Sequence, residues 1–566
     1  MPLITIDKQD LLHLLGESVS DEDLAYNISM MGTDLREVTE VIDVEIFPDR
    51  PDLLSTEGFA MALEGYLGIK TEMPVFTVHQ KGYTAFIDHK VASVRPYAVC
   101  AIVKDVVLSD GAVKSLMQVQ EKLHITHGRN RKKVAIGVHD LDKITFPVTY
   151  TTKPLDFSFV PLEWYTELTL KEILNQHKKG IQYAHLLEGF SEYPLWIDSK
   201  GTVLSMPPII NSDDTKVEPD THHLFLDVTG YSRKALEQAL NILVCSLARR
   251  GGNIYAVQVF EREKEIEEER EIEKGKKGKK ENKEGKEYWY PNLTPQEMDL
   301  DLGYVNRWLG LSLSWDEVRT LLERMRYQLS NHIVKIPPYR ADILHPVDIM
   351  EDIAKAYGLD NIQEVIPEIS TIGEEDPLEV FSRRIANVMA GFGLLEVKTY
   401  YLTSREFFEK TRITDQLIQV ENAVTAEYNV LRNWLLPGML YTLQCNKHYE
   451  YPQNIYEIGE VINLDDQFPE KTREELHAAC AICHPKASFT EAKEMLKALC
   501  VNLGMTFRLK PAEHPVFIPQ RCGSVLLNAQ NVGITGEVHP EVLIAWDLEV
   551  PVACFELDLG AVYALI

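Results

Sequence analysis

Arg340-Ala-Asp-Ile-Leu-His-Pro-Val-Asp-Ile-Met-Glu-Asp-Ile-Ala-Lys-Ala-Tyr-Gly-Leu-Asp-Asn-Ile362 is the stretch whose reading decides the fold. Pro346 suits the first turn of a helix, Ile349, Ile353 and Tyr357 recur on one stripe, and Gly358 ends the pattern. On that helix Asp348, Glu351 and Asp352 stand at i, i+3 and i+4, hence on one face. Like charges so close repel, and they call for open water or a cation. One reading is an acidic first turn that matches the positive end of the helix dipole. The other adds Asp342, just upstream, to give an oxygen-only ligand set for a hard octahedral ion such as Mg²⁺.

A length of 566 residues implies about three to five domains at the usual ~100–200 residues each. With 45% apolar and 25% charged residues the composition is that of an ordinary globular protein. No apolar run approaches the ~18 residues of a membrane span, and Met1 to Gln9 carries no export signal, so a cytoplasmic protein is expected. Eight scattered cysteines suggest reduced thiols. Cys480-Ala-Ile-Cys483-His484 formally matches a haem attachment motif but lies in an apolar run that reads as a strand. The net charge of −28 argues against a protein coated in DNA or lying on an anionic membrane, although a local basic patch can still meet RNA. Arg129-Asn-Arg-Lys-Lys133 is such a patch, and equally a solvated loop.

Working outward from the opening stretch, residues 1–90 read as a small mixed domain. In it Ser55 caps a helix that buries Phe59, Leu63 and Tyr66. Residues 91–260 read as a strand-rich domain containing Val134 to His139, Leu224 to Gly230, a helix over Leu236 to Leu247 and a closing strand from Ile254 to Phe260. Residues 261–288 are a charged, low-complexity linker that cannot bury enough apolar surface to offset its ordering entropy. Its lysines, from Lys274 to Lys286, are either a solvated insert or an arm for RNA phosphates. Residues 289–367 hold the carboxylates. There the capping box of Ser314 and Glu317 opens a helix, and with Leu302 to Leu309 this gives two short helices in a winged-helix-like layout. Residues 368–566 read as helices on an antiparallel sheet, with strands at Glu396 to Leu402, Asn454 to Gly459 and Val552 to Asp558 and a helix from Leu378 to Phe392.

The opening stretch resembles, nearly residue for residue, a motif of phenylalanine-tRNA ligase beta subunits of the archaeal and eukaryotic type. The likeness extends to Asp49-Arg-Pro-Asp-Leu53, Asn422 to Arg432, Leu435-Leu-Pro-Gly438 and Tyr456-Glu-Ile-Gly459. It covers nearly everything except Glu261 to Glu287. The resemblance implies an α+β multidomain chain: an N-terminal mixed domain, an editing domain of B3/B4 type, a B5-like winged-helix domain and a class II synthetase-like sheet domain. It also implies that Asp342, Asp348, Glu351 and Asp352 bind Mg²⁺ at the boundary with an alpha subunit, in an alpha2-beta2 heterotetramer that charges tRNA(Phe). ATP would be bound mainly by the alpha subunit, because Gly391-Phe-Gly393 is followed by Leu-Leu-Glu and no glycine-rich arginine motif or Walker loop is visible. With little sequence after Asp558, no C-terminal anticodon-binding domain of the bacterial form is expected.

Leu204-Ser-Met-Pro-Pro-Ile-Ile-Asn-Ser212, Asp227-Val-Thr-Gly230 and Arg131 to Asp140 match the family's archaeal editing domain, where tyrosine wrongly attached to tRNA is removed. A phenylalanine pocket rejects a ring carrying one extra hydroxyl by only about 10²-fold, so a second, hydrolytic site is needed. Strand alternation sets Phe225, Asp227 and Thr229 on one face. The candidates are Leu204 as apolar wall, Asn211, Ser212 and Thr229 as hydrogen-bonding groups, and Asp227 to orient water or substrate. Asp227 is alternatively a helix cap, and His139 either a base or a structural histidine. Two other functions remain open: a stand-alone aminoacyl-tRNA deacylase, and a non-catalytic RNA-binding scaffold.

Overall fold

In the computed structural model the described residues are 2–218, 220–262, 286–413 and 416–566. They fall into two compact units, Met1–Ile366 and Pro367–Ile566. The lysines of 274–285 lie outside the described residues.

The first unit begins with a three-stranded sheet in which Val41–Glu45 sits between Leu3–Asp7 and Asp34–Val38. Ser55 caps Thr56–Tyr66 by accepting from the Gly58 amide, and Phe59, Leu63 and Tyr66 are buried as their spacing predicts. The larger sheet runs, in spatial order, Ile210–Asn211, Val203–Met206, Glu192–Ile197, Val148–Pro154, Val78–Ile87, Asn253–Glu261, Tyr97–Lys104, Leu224–Gly230 and Val134–Asp140. Glu287–Tyr290 pairs with Asn253–Glu261 as a further strand.

Two boundaries drawn from sequence therefore move. Val78–Ile87 pairs in parallel with Asn253–Glu261 and with Val148–Pro154, so the large sheet starts before residue 90. Both ends of the charged stretch are strand, with Phe260 opposite Glu287. Backbone pairing holds these ends whatever their charge, a constraint that composition does not reveal. Leu224–Gly230 is buried on both faces, between its two neighbouring strands and beneath helix Arg233–Arg249, which explains its near-continuous apolar character.

The opening stretch folds as its spacing implies. Helix Pro346–Tyr357 starts with Pro346 at its first position, His345 caps it, and Gly358 follows with φ +93°. Helices Leu302–Leu309 and Trp315–Arg324 precede it, the latter with the Ser314 and Glu317 capping box formed on both sides. A sheet of Gln296–Asp299, Ile333–Ile336 and Gln328–Ser330 completes this helix-and-wing arrangement.

The second unit is a seven-stranded sheet in the order Leu395–Glu396, Gln453–Leu464, Thr472–Cys483, Val552–Asp558, Gln530–Val538, Phe517–Leu527, Phe507–Pro511. Helices Pro377–Gly391 and Phe489–Asn502 contribute to the core on one face, and helix Leu436–Asn446 packs on the other. The strand expected from Glu396 to Leu402 is cut to Leu395–Glu396, with a separate short strand at Leu402–Thr403. Thr399 ends it: its amide and hydroxyl donate to the Glu457 carboxylate at 3.1 and 2.8 Å, drawing the chain off the ladder. Cys480 and Cys483 are buried within a strand, as the apolar run implies, and no helix of the described residues is long and apolar enough to cross a membrane.

Candidate functional site

Asp227 stands in the middle of Leu224–Gly230, directly opposite Gly137 of Val134–Asp140. A Cβ at Gly137 would overlap both Asp227 Oδ2 and His139 Nε2, so only glycine lets the carboxylate lie across its neighbour strand. His139 Nε2 is 2.8 Å from Asp227 Oδ2, and His139 Nδ1 is 2.9 Å from Thr215 Oγ1. An ionised carboxylate only accepts, so Nε2 carries the proton and Nδ1 accepts from the threonine hydroxyl. The imidazole, fully buried, thus fixes the carboxylate's direction. A carboxylate this deep is costly to bury unless it is hydrogen-bonded, as it is here.

Asp227 opens onto a cleft of about 980 Å³. Its walls come from helix Asp110–Ile125, strand Val134–Asp140 and the loop through Pro207 and Pro208. Of the residues expected from sequence, Asp227 and Asn211 line it, while Leu204, Ser212 and Thr229 do not. Leu204 is fully buried in the core. Ser212 turns its hydroxyl to the Val160 carbonyl at 3.2 Å and caps the short turn after it. The Thr229 hydroxyl accepts from Arg95 Nε at 2.9 Å, and the Thr229 carbonyl from Arg95 Nη2 at 2.6 Å. Arg95 is itself buried, and burial pulls its pKa down to about 10.

Two groups in the cleft, Ser205 and His124, escaped the sequence reading as site candidates, and a third, Arg131, was read only within its basic patch and its matching stretch. Ser205, paired directly with Asn211, lines the cleft with a buried hydroxyl that has no hydrogen-bond partner. His124 Nε2 accepts from the Ile136 amide at 2.8 Å, leaving Nδ1 to carry the proton; Nδ1 has no partner within hydrogen-bond distance. Burial pushes this imidazole down to about 4, so it is neutral. Arg131, in the basic patch, donates to the Ile209 carbonyl at 2.8 Å and lies 4.6 Å from the Tyr183 ring centroid, tying the proline loop to the patch. Leu204 was expected as an apolar wall, and in the short strand Val203–Met206 it is the next residue, Ser205, that faces the cleft.

The four acidic residues of the opening stretch do not converge on one point. Arg340 fills the space between Asp342 and Asp352, with Nη2 2.6 Å from Asp342 Oδ2 and 2.7 Å from Asp352 Oδ2. Tyr327 donates to Asp352 at 2.5 Å. Asp348 Oδ2 accepts from the Leu344 and His345 amides, each at 2.8 Å, and Glu351, exposed, pairs with Lys355 at 2.8 Å. No three of the four bring oxygens within 4.8 Å of one another. As a common ligand set for Mg²⁺ they do not fit, because a guanidinium already neutralises two of them. Asp348 and Glu351 alone remain turned to the outer face.

In the second unit two cations beside the strand Gln453–Leu464, Arg432 and Lys398, are engaged within the chain. Arg432 is buried, its Nη1 2.7 Å from Glu457 Oε1, and its Nε donates to the Glu460 carbonyl at 2.8 Å. Lys398 donates to the Ile458 carbonyl. Gly459 leaves room for the Arg432 guanidinium, which a Cβ would strike.

Residues 362–559 match the family model described as phenylalanyl tRNA synthetase beta chain CLM domain, and residues 298–359 the tRNA synthetase B5 domain. The chain is 38% identical to the phenylalanine–tRNA ligase beta subunit of Pyrococcus horikoshii, over 100% of both chains. It is also 38% identical to that of Archaeoglobus fulgidus, over 100% of this chain and 99% of the other. A crystal structure of an N-terminal fragment of the P. horikoshii phenylalanyl-tRNA synthetase beta subunit covers 63% of this chain and 99% of the fragment, at 37% identity and TM-score 0.57.

Proposed function

Because this chain belongs to the family of phenylalanine–tRNA ligase beta subunits, we propose that it pairs with an alpha subunit that activates phenylalanine, and that it hydrolyses Tyr-tRNA(Phe) in the cleft beside Asp227. The observation that carries the second part is the fixed carboxylate. Asp227 is held by His139 across Gly137 and faces a cleft wide enough for an aminoacyl ester. A carboxylate with one oxygen pinned presents its remaining lone pairs in a set direction. It can accept from an attacking water or from a donor on the substrate, which lowers the entropy cost of reaching the ester carbonyl. Asn211 shares the cleft as a second polar group. His139, buried behind the carboxylate, positions it rather than meeting substrate.

The engagement of Arg432 by Glu457 supports leaving ATP to the alpha subunit. The alpha2-beta2 assembly, tRNA(Phe) as ligand and a cytoplasmic setting belong to the same reading, with neither membrane nor DNA as partner. An ion shared with the alpha subunit would meet Asp348 and Glu351, and no step of the hydrolysis is routed through it. The test is co-expression with the alpha subunit, followed by Phe-tRNA formation and Tyr-tRNA hydrolysis for the native complex and Asp227→Ala. Hydrolysis by the purified chain alone would favour a stand-alone deacylase, and no hydrolysis in any form would favour a scaffold.

A further inference from the structure

The second unit carries a donor set that the proposed hydrolysis does not use. Glu475 and His477 lie two apart on Thr472–Cys483, so they share a face, and His477 is directly opposite Asp558 of Val552–Asp558. One ligand atom from each comes within 4.8 Å of the others. Among the described residues this is the one such grouping of three.

The histidine is oriented as a metal ligand would be. His477 Nδ1 is 2.8 Å from Glu556 Oε1, and Glu556 also accepts from the Leu435 and Leu436 amides, which fixes it as an acceptor and places the Nδ1 proton between them. A carboxylate behind the far nitrogen is the arrangement that sets the tautomer of metal-bound histidine. Burial works against the charged ring, but the Glu475 and Glu556 carboxylates outweigh it and raise the His477 pKa to about 9, so a metal ion has to displace the Nε2 proton before that atom offers its lone pair. That atom is buried, makes no hydrogen bond, and faces Glu475 Oε2 at 3.6 Å. Nε2 and the carboxylates thus face one another across a position that suits a cation, either a proton or a metal ion. Each carboxylate also has another contact. Asn463 donates to Glu475 Oε2 at 2.7 Å, Arg473 pairs with Glu475, and the Ala561 amide donates to Asp558 Oδ1 at 2.9 Å.

We propose that Glu475, His477 and Asp558 bind a divalent transition-metal ion, and that it ties the end of Val552–Asp558 to Thr472–Cys483. One imidazole with two carboxylates selects Mn²⁺, Co²⁺ or Zn²⁺ over Mg²⁺ or Ca²⁺. A proton on Nε2 is the competing occupant, and it would need no metal.

The untagged full-length chain, stripped with a chelator, is titrated with Co²⁺ and followed by visible absorption and by bound metal per chain. Wild type is expected to take up one equivalent more than His477→Gln. Asp558→Asn, which keeps an acceptor for the Ala561 amide, is expected to bind at least 10-fold more weakly while keeping the native circular dichroism. Equal Co²⁺ uptake by wild type and Asp558→Asn, or no uptake by wild type at millimolar Co²⁺, would overturn the proposal.

Discussion

His124 makes the sheet that carries Asp227 sensitive to mild acid. Its side chain is buried, its Nε2 accepts the Ile136 amide, and burial holds its pKa at about 4 instead of 6.5. Between these values the unfolded histidine binds a proton and the folded one does not, so stability falls as pH drops from 6.5 toward 4. At 1.36 kcal/mol per pH unit, the loss is about 2 kcal/mol at pH 5 and about 3 kcal/mol at pH 4. His124→Gln supplies a side-chain oxygen that can accept the same amide but cannot titrate. Native-state hydrogen exchange of peptides from Val134–Asp140 reads the opening free energy of this region without demanding one transition for the whole chain. Wild type should lose about 2 kcal/mol more than His124→Gln between pH 7.5 and pH 5. Parallel pH profiles for the two proteins would refute the reasoning.

Three further outcomes follow from the same geometry. Gly137→Ala should push the Asp227 carboxylate off His139 and lower Tyr-tRNA hydrolysis by about 10²-fold, while leaving Phe-tRNA formation near native, as measured by parallel deacylation and charging assays. Arg340→Met removes the cation between half-buried Asp342 and buried Asp352 and should cost about 3–5 kcal/mol in urea unfolding of the first unit. Of the eight cysteines, Cys445 is exposed and seven are buried, so the native chain should show one fast thiol toward a disulfide reagent and eight after denaturation.

Helix positions were legible in the sequence wherever cap and stripe agreed. Pro346, the isoleucine stripe and Gly358 bound a helix over 346–357, and Ser55 and Ser314 cap theirs, because each signal is local. The carboxylate reading failed at a different level. Spacing puts Asp348, Glu351 and Asp352 near one another, but Arg340 sits at the start of the same stretch and its guanidinium reaches Asp342 and Asp352 first. Counting like charges without asking which cation lies within side-chain reach overstated the case for an ion. Asp227 was found because its strand alternates, whereas its support, His139, was weighed as structural because pairing between Val134–Asp140 and Leu224–Gly230 is invisible in one dimension. In the stretch 204–212 Asn211 was chosen and lines the cleft, while Leu204 and Ser212 were chosen beside the lining residues Ser205 and Asn211, and one step along a strand turns a side chain from cleft to core. Ser205 and His124 show themselves only through buried polar atoms left without partners.

The central claim is hydrolysis at Asp227, and the most direct measurement is the rate at which the alpha–beta complex deacylates preformed Tyr-tRNA(Phe). The native complex should clear it, and Asp227→Ala should be slower by about 10² or more, with Phe-tRNA formation unchanged. Equal deacylation by the two complexes would contradict the account.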